Sequence, residues 1–220
     1  AMQPTQYLIH LEPDLDSLTY SGTVTIHYAS GSRSDGMVCL DAVDLTVTDC
    51  SVAGGRIERR VGWDHSDGVL LVHTGASGDE EIELSVSFEG VINDKMVGFY
   101  RSRYVADGRT RYLAITQFEE QDARRAFPCV DHPAAKAVFV VEILAPAGCT
   151  AISNTPVAST DRRENGATLF RFEATPPMST YLLCFAVGPF DIVTDTSWRI
   201  PIRVAVSPGK GLLYRQSLEY

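Results

Sequence analysis

Long apolar runs, basic residues, paired cysteines and the common catalytic signatures are all scarce or missing in this 220-residue sequence. No stretch approaches the ~20 apolar residues that carry a helix across a bilayer, so no membrane span is expected. The 19 lysines and arginines are outnumbered by 28 aspartates and glutamates, and the net charge of −9 argues against nucleic acid or an anionic membrane as the main partner. The opening AMQPTQYLIHLEPD carries neither the basic nor the apolar region of a secretory signal. The five cysteines (Cys39, Cys50, Cys129, Cys149 and Cys184) are odd in number and include no C-x-x-C pair. That pattern indicates neither a zinc ribbon nor a disulfide framework, and it fits reduced thiols in a cytoplasm. The five histidines (His10, His27, His65, His73 and His132) never fall into H-E-x-x-H spacing, so a helical zinc pair is excluded. No G-x-S-x-G elbow and no glycine-rich phosphate cradle is present either.

What is present is strand after strand. Residues 6–12 (QYLIHLE) alternate so that Tyr7, Ile9 and Leu11 share one face, the pattern of a half-buried strand. Residues 19–29 (TYSGTVTIHYA) alternate again and are rich in β-formers. Further short strands are predicted at 37–40, 45–50, 57–63, 69–73 and 81–89, divided by glycine and aspartate turns. From residue 91 the texture changes: VINDKMVGFYRSRYVADGRTRYLAI reads as an exposed insert that runs into an apolar strand at 112–116. Strands are predicted again at 138–145, 150–153, 169–174, 180–187, 191–194 and 200–205. Turn signals every eight to twelve residues point to an all-β, saddle-shaped or sandwich-like domain of antiparallel sheet. At the C-terminus, Pro208 and Gly209 mark a boundary. Beyond them, Leu212, Leu213 and Leu218 are spaced as in a helix that is only starting, so the chain reads as part of something longer. The expected division is 1–208 for the β-domain and 209–220 for the beginning of the next.

One stretch breaks the strand rhythm. Residues 116–139, TQFEEQDARRAFPCVDHPAAKAVF, do not alternate, and Pro128 and Pro133 prevent a single helix. A charged, irregular segment held between strands is where function tends to sit. Cys129 has His132 three residues on, but with prolines flanking both the reading is a packed cysteine and not a catalytic dyad. Gln117 and Glu119 stand two apart at what reads as the end of a strand, a spacing that puts both side chains on one face. A carboxylate beside an amide could receive a cationic group such as the free N-terminus of a peptide. On spacing alone, a solvated surface pair is the plainer reading.

The same stretch closely resembles the signature of the aminopeptidase N family of zinc peptidases, the gluzincins: roughly TQ-x-E-x-x-DAR-x-x-FPC-x-DEP-x-x-KA-x-F. Three more blocks resemble that family in the same order: GFYRSRY (98–104), AISNTPV (151–157) and PPMSTYLLCFAVGPF (176–190). The resemblance covers most of residues 6–208. It implies the family's N-terminal β-domain, followed in the whole protein by a thermolysin-like catalytic domain that carries the zinc ligands. Neither that domain's G-x-MEN segment nor its H-E-x-x-H is in this chain. It also implies that Glu119 binds the substrate's α-amine and that Gln117 lines the pocket for the first side chain. The implied partners are peptides with a free N-terminus and the chain's own catalytic domain. The implied cofactor is zinc held by residues outside this chain, so that this chain alone supplies recognition and no catalysis. Asp122, Arg124 and Arg125 are expected to form an ion-pair network that fixes the loop, and Phe127, Phe139 and Tyr181 to be core. His132 stands where the family usually has Glu, and Glu120 where Pro is common, which puts the hydrogen bonding around His132 in doubt. The alternative function is a non-catalytic binding or scaffold domain on the same fold.

Overall fold

A computed structural model describes residues 3–29, 34–54, 57–75, 77–78 and 81–211. The helix expected over 209–220 falls, beyond residue 211, outside the described residues. The described chain is almost entirely strand and turn, with two single-turn 3₁₀ segments at Ala123–Arg125 and Thr180–Leu182.

The main sheet has eight strands, in the order Val157–Arg162, Thr168–Phe172, Val138–Ala145, Pro4–Asp14, Thr19–Tyr28, Ile82–Val91, Leu45–Gly54 and Ile57–Arg60. Its centre is the N-terminal strand, where Tyr7, Ile9 and Leu11 are buried as their alternation requires. One pairing is not antiparallel: Pro4–Asp14 runs parallel to Val138–Ala145, with Tyr7 opposite Phe139 and Ile9 opposite Val141. A parallel pair needs a crossover and not a hairpin. Here the crossover is the intervening chain, so the irregular 116–139 stretch is what delivers the returning strand to the centre of the sheet.

A second, four-stranded sheet has the order Gly98–Ala106, Arg109–Gln117, Phe185–Gly188 and Thr150–Ser153. Aromatic rings join it to the first. Tyr20 of the large sheet meets Phe99 edge-on at 5.1 Å, and Phe99 meets Phe185 at 5.1 Å. The inner faces of the two sheets, together with Val38, Leu40, Leu70 and Val72 of a small three-stranded sheet, form one buried cluster. This is the sandwich-like arrangement expected of alternating strands.

Four local readings change. The strand expected at 57–63 is two, Ile57–Arg60 in the main sheet and Trp63–Ser66 in the small three-stranded sheet. The exposed insert contains a nine-residue strand, Gly98–Ala106, which forms a hairpin with Arg109–Gln117 through Asp107 and Gly108. Both turn residues have positive φ, 51° and 70°, the two-residue turn that D-G sequences favour. The strand expected at 180–187 is instead the 3₁₀ turn followed by Phe185–Gly188. Asn154 stops the strand from starting earlier: its Nδ2 donates to the Leu182 carbonyl (2.8 Å) and its Oδ1 accepts from the Cys184 N–H (2.8 Å). Finally, Val157–Arg162 is an edge strand that periodicity did not reveal, because almost none of it is buried.

Candidate functional site

The site is built where the strand Arg109–Gln117 ends. Gln117 is its last residue and pairs with Gly98 across the hairpin. Phe118, the next residue, turns inward and is buried, edge-on to Phe127 (6.1 Å) and Phe185 (5.7 Å). Gln117 and Glu119 are left exposed on either side of that buried ring. The strand therefore stops two residues short of Glu119, which lies in the turn that follows. The out–in–out order survives because Phe118 is held by packing and not by a ladder. The Glu119–Glu120 peptide is cis, and the Asp122 N–H donates to the Phe118 carbonyl at 3.0 Å to close the turn. Among the described residues neither Gln117 nor Glu119 spends its side chain on a hydrogen bond or ion pair. An unpaired carboxylate and an amide on a rigid base can accept hydrogen bonds from an ammonium group.

The base is rigid because the rest of the loop is tied to every element around it. Arg124 donates from Nε to Asp131 Oδ2 (3.1 Å) and from Nη2 to the Asp131 carbonyl (3.0 Å), while its Nη1 lies 3.0 Å from Asp41 Oδ1. Asp131 is buried; its N–H donates to Asp41 Oδ2 (2.9 Å) and its Oδ1 accepts from Thr180 Oγ1 (2.6 Å). Arg125 binds Asp122 (2.8 Å) and Asp44. Tyr20 Oη donates to the Ala126 carbonyl (3.1 Å), and the Val130 N–H donates to Tyr7 Oη (3.1 Å). Such buried polar networks specify one arrangement when all members are satisfied. Asp122, Arg124 and Arg125 are all ion-paired, but in two clusters and not the one network expected: Arg124 with Asp41 and Asp131, the latter held by Thr180, and Arg125 with Asp122 and Asp44. Asp41, Asp44, Asp131 and Thr180 are partners that the sequence stretch alone did not reveal. Gly98 lets the hairpin approach: its φ is +64°, and a Cβ there would lie 2.7 Å from Arg125 Cβ.

Phe127 and Phe139 are fully buried and Tyr181 is partly so. Cys129 is wholly buried, and burial, with the nearby Asp131 and Asp41 charges, pushes its thiol well above the usual range. A thiol so placed is not a nucleophile. His132 is exposed and accepts the Ala134 N–H on Nδ1 (3.2 Å), closing its own turn. All five cysteines are unpaired. Among the described residues no three His, Cys, Asp or Glu side chains gather as metal ligands.

The family model for the peptidase M1 N-terminal domain matches residues 3–182. The chain belongs to that family. As an M1 N-terminal domain it is similar to the corresponding part of known aminopeptidases. Aminopeptidase M1 of Arabidopsis thaliana is 38% identical over 217 residues, covering 94% of this chain and 24% of that protein. Aminopeptidase 2 of Candida albicans is 32% identical over 210 residues (94% and 22%). Glutamyl aminopeptidase of Sus scrofa is 33% identical over 218 residues (94% and 23%). The chain spans about a quarter of the length of these relatives. The two ion-pair clusters and the Gln117–Glu119 pair all lie inside the matched region of the M1 N-terminal domain. No helix among the described residues is long and apolar enough to cross a membrane.

Proposed function

We propose that this domain is the substrate-reading part of a zinc-dependent aminopeptidase, and that Glu119, assisted by Gln117, holds the free α-amine of a peptide's first residue. The observation that carries this is the pair itself: a carboxylate and an amide, exposed and unpaired among the described residues, on either side of a buried phenylalanine. An amine held at a fixed distance from the reacting bond limits an enzyme to one residue per cut.

In this reading, zinc is held by the rest of the whole protein, where its chemistry would be to activate water for hydrolysis of the first peptide bond. This chain alone binds and orients, and is inactive. Its own catalytic domain is its nearest partner. The hairpin formed by Asp191–Asp195 and Ile202–Val206 offers a surface for that contact, since Ile192, Ile202 and, in the connecting loop, Trp198 and Ile200 are exposed. Five free thiols support a reducing compartment, the cytoplasm.

The test uses the whole protein. It should release the first residue from a peptide with a free N-terminus, spare the same peptide acetylated, and lose activity to a chelator and regain it with zinc. Equal cleavage of the acetylated peptide would overturn the amine-reading role.

A further inference from the structure

The hairpin that carries Gln117 at its base has an unexplained far end. Its ladder to Phe185–Gly188 consists of Ala114 opposite Val187 and Ile115 opposite Ala186. Residues 102–106 and 109–113 continue past it as a two-stranded arm. In the outer strand, the Phe99 carbonyl and the Arg101 N–H point away from the partner strand, since both bond to the backbone of Asn93 (3.2 Å and 2.7 Å). By alternation Arg103 and Val105 point their N–H and C=O groups the same way. Among the described residues nothing receives them. Native folds seldom leave such an edge unused or unprotected.

The charge of the arm is opposite to that of the molecule. The 20 residues from Gly98 to Gln117 hold four arginines against one aspartate, on a chain with net charge −9. The two faces differ. On one, Arg109 and Arg111 share a cleft with Asp14 and Asp16. On the other, Arg101, Arg103 and Val105 stand in a row beside Tyr112, which lies opposite Arg103, with the Arg101 guanidinium 5.6 Å from the Tyr112 ring centre. Arg101 is paired with Asp94, whereas Arg103 makes no ion pair among the described residues. Val105 is 65% exposed.

We propose that this edge is a docking site for an extended acidic peptide segment, added as a further strand along Arg103 and Val105. The free backbone groups would supply the ladder, and acidic side chains at alternate positions would face the Arg101–Arg103 row. Pairing with a second copy of the same arm is disfavoured, because it would set arginine rows against each other.

The test is fluorescence anisotropy with a labelled, N-acetylated peptide that alternates glutamate and valine. Acetylation keeps the amine site at Glu119 out of the measurement. Binding should weaken as salt rises. Val105→Pro removes one outward N–H without touching the ladder inside the hairpin, and Arg103→Glu reverses the unpaired charge; each should weaken binding at least tenfold with an unchanged circular dichroism spectrum. The same peptide N-methylated at alternate residues should not bind. Equal binding by Val105→Pro or by the N-methylated peptide would overturn strand addition in favour of unspecific charge attraction. A dimer that Val105→Pro dissolves would overturn it in favour of self-pairing.

Discussion

Arg124 grips Asp131 at both side chain and backbone: Nε and the Arg124 N–H reach Oδ2 at 3.1 and 3.2 Å, and Nη2 reaches the carbonyl at 3.0 Å. Seven residues of loop are folded back on themselves by this contact, and Asp131 is buried beneath it. Removing the acid would leave a guanidinium without its main partner. Asp131→Ala is therefore expected to cost about 3–5 kcal/mol, read as a lower urea midpoint with an unchanged slope. A loss below about 1 kcal/mol, the scale of exposed pairs, would mean that the loop is held by packing alone.

Phe118 separates the two candidate site residues and ties them to the core. Phe118→Ala should destabilise by about 3–5 kcal/mol through the cavity left between Phe127 and Phe185. Phe118→Leu should lose less. In the proposed role this ring positions Glu119, so the alanine variant of the whole protein should lose kcat/KM beyond what its stability explains at low temperature.

Gly98 is required by two separate constraints, its φ of +64° and the 2.7 Å approach to Arg125 Cβ. Gly98→Ala should cost about 1–3 kcal/mol. Thermal melting of the variant checks this. A melting temperature equal to the wild type would show that the hairpin can move away from the 3₁₀ turn.

How much of this was legible in the sequence depended on what holds each residue. Tyr7, Ile9 and Leu11 announced themselves because a half-buried strand imposes a two-residue period. Val157–Arg162 did not, because an exposed edge imposes none. Gly98–Ala106 could have been found from Asp107–Gly108 flanked by alternating residues, a hairpin signal masked by its four arginines. The candidate site residues, Gln117 and Glu119, were visible as a motif and as a charge pattern. The reason they point outward was not visible, since it lies in Phe118 packing against rings 9 and 67 positions away. Likewise Asp41 and Thr180 join the Arg124–Asp131 pair, and Asp44 joins Arg125, through contacts that no local spacing encodes.

Alkaline pH should loosen the fold. Burial raises the Cys129 thiol well above its ordinary range and pushes Cys50 up to about 12. Both are neutral in the fold, while an unfolded thiol ionises near ~8.5. Below that pH their contribution is complete. Above it the unfolded chain loses protons that the native state keeps, so stability falls as pH rises towards the folded values, by about 1.4 kcal/mol per pH unit for each such thiol. Urea midpoints between about pH 8 and about pH 10 should fall, and Cys129→Ala should remove part of that slope. A flat profile would contradict the burial of these thiols.

The most direct measurement is kcat/KM of the whole protein carrying Glu119→Ala, on a peptide with a free N-terminus. A charge-assisted contact in a partly desolvated cleft contributes roughly 1.5–3 kcal/mol, so a fall of at least about tenfold is expected with the melting temperature unchanged. An unchanged kcat/KM would contradict the assignment of Glu119 as the residue that holds the substrate's amine.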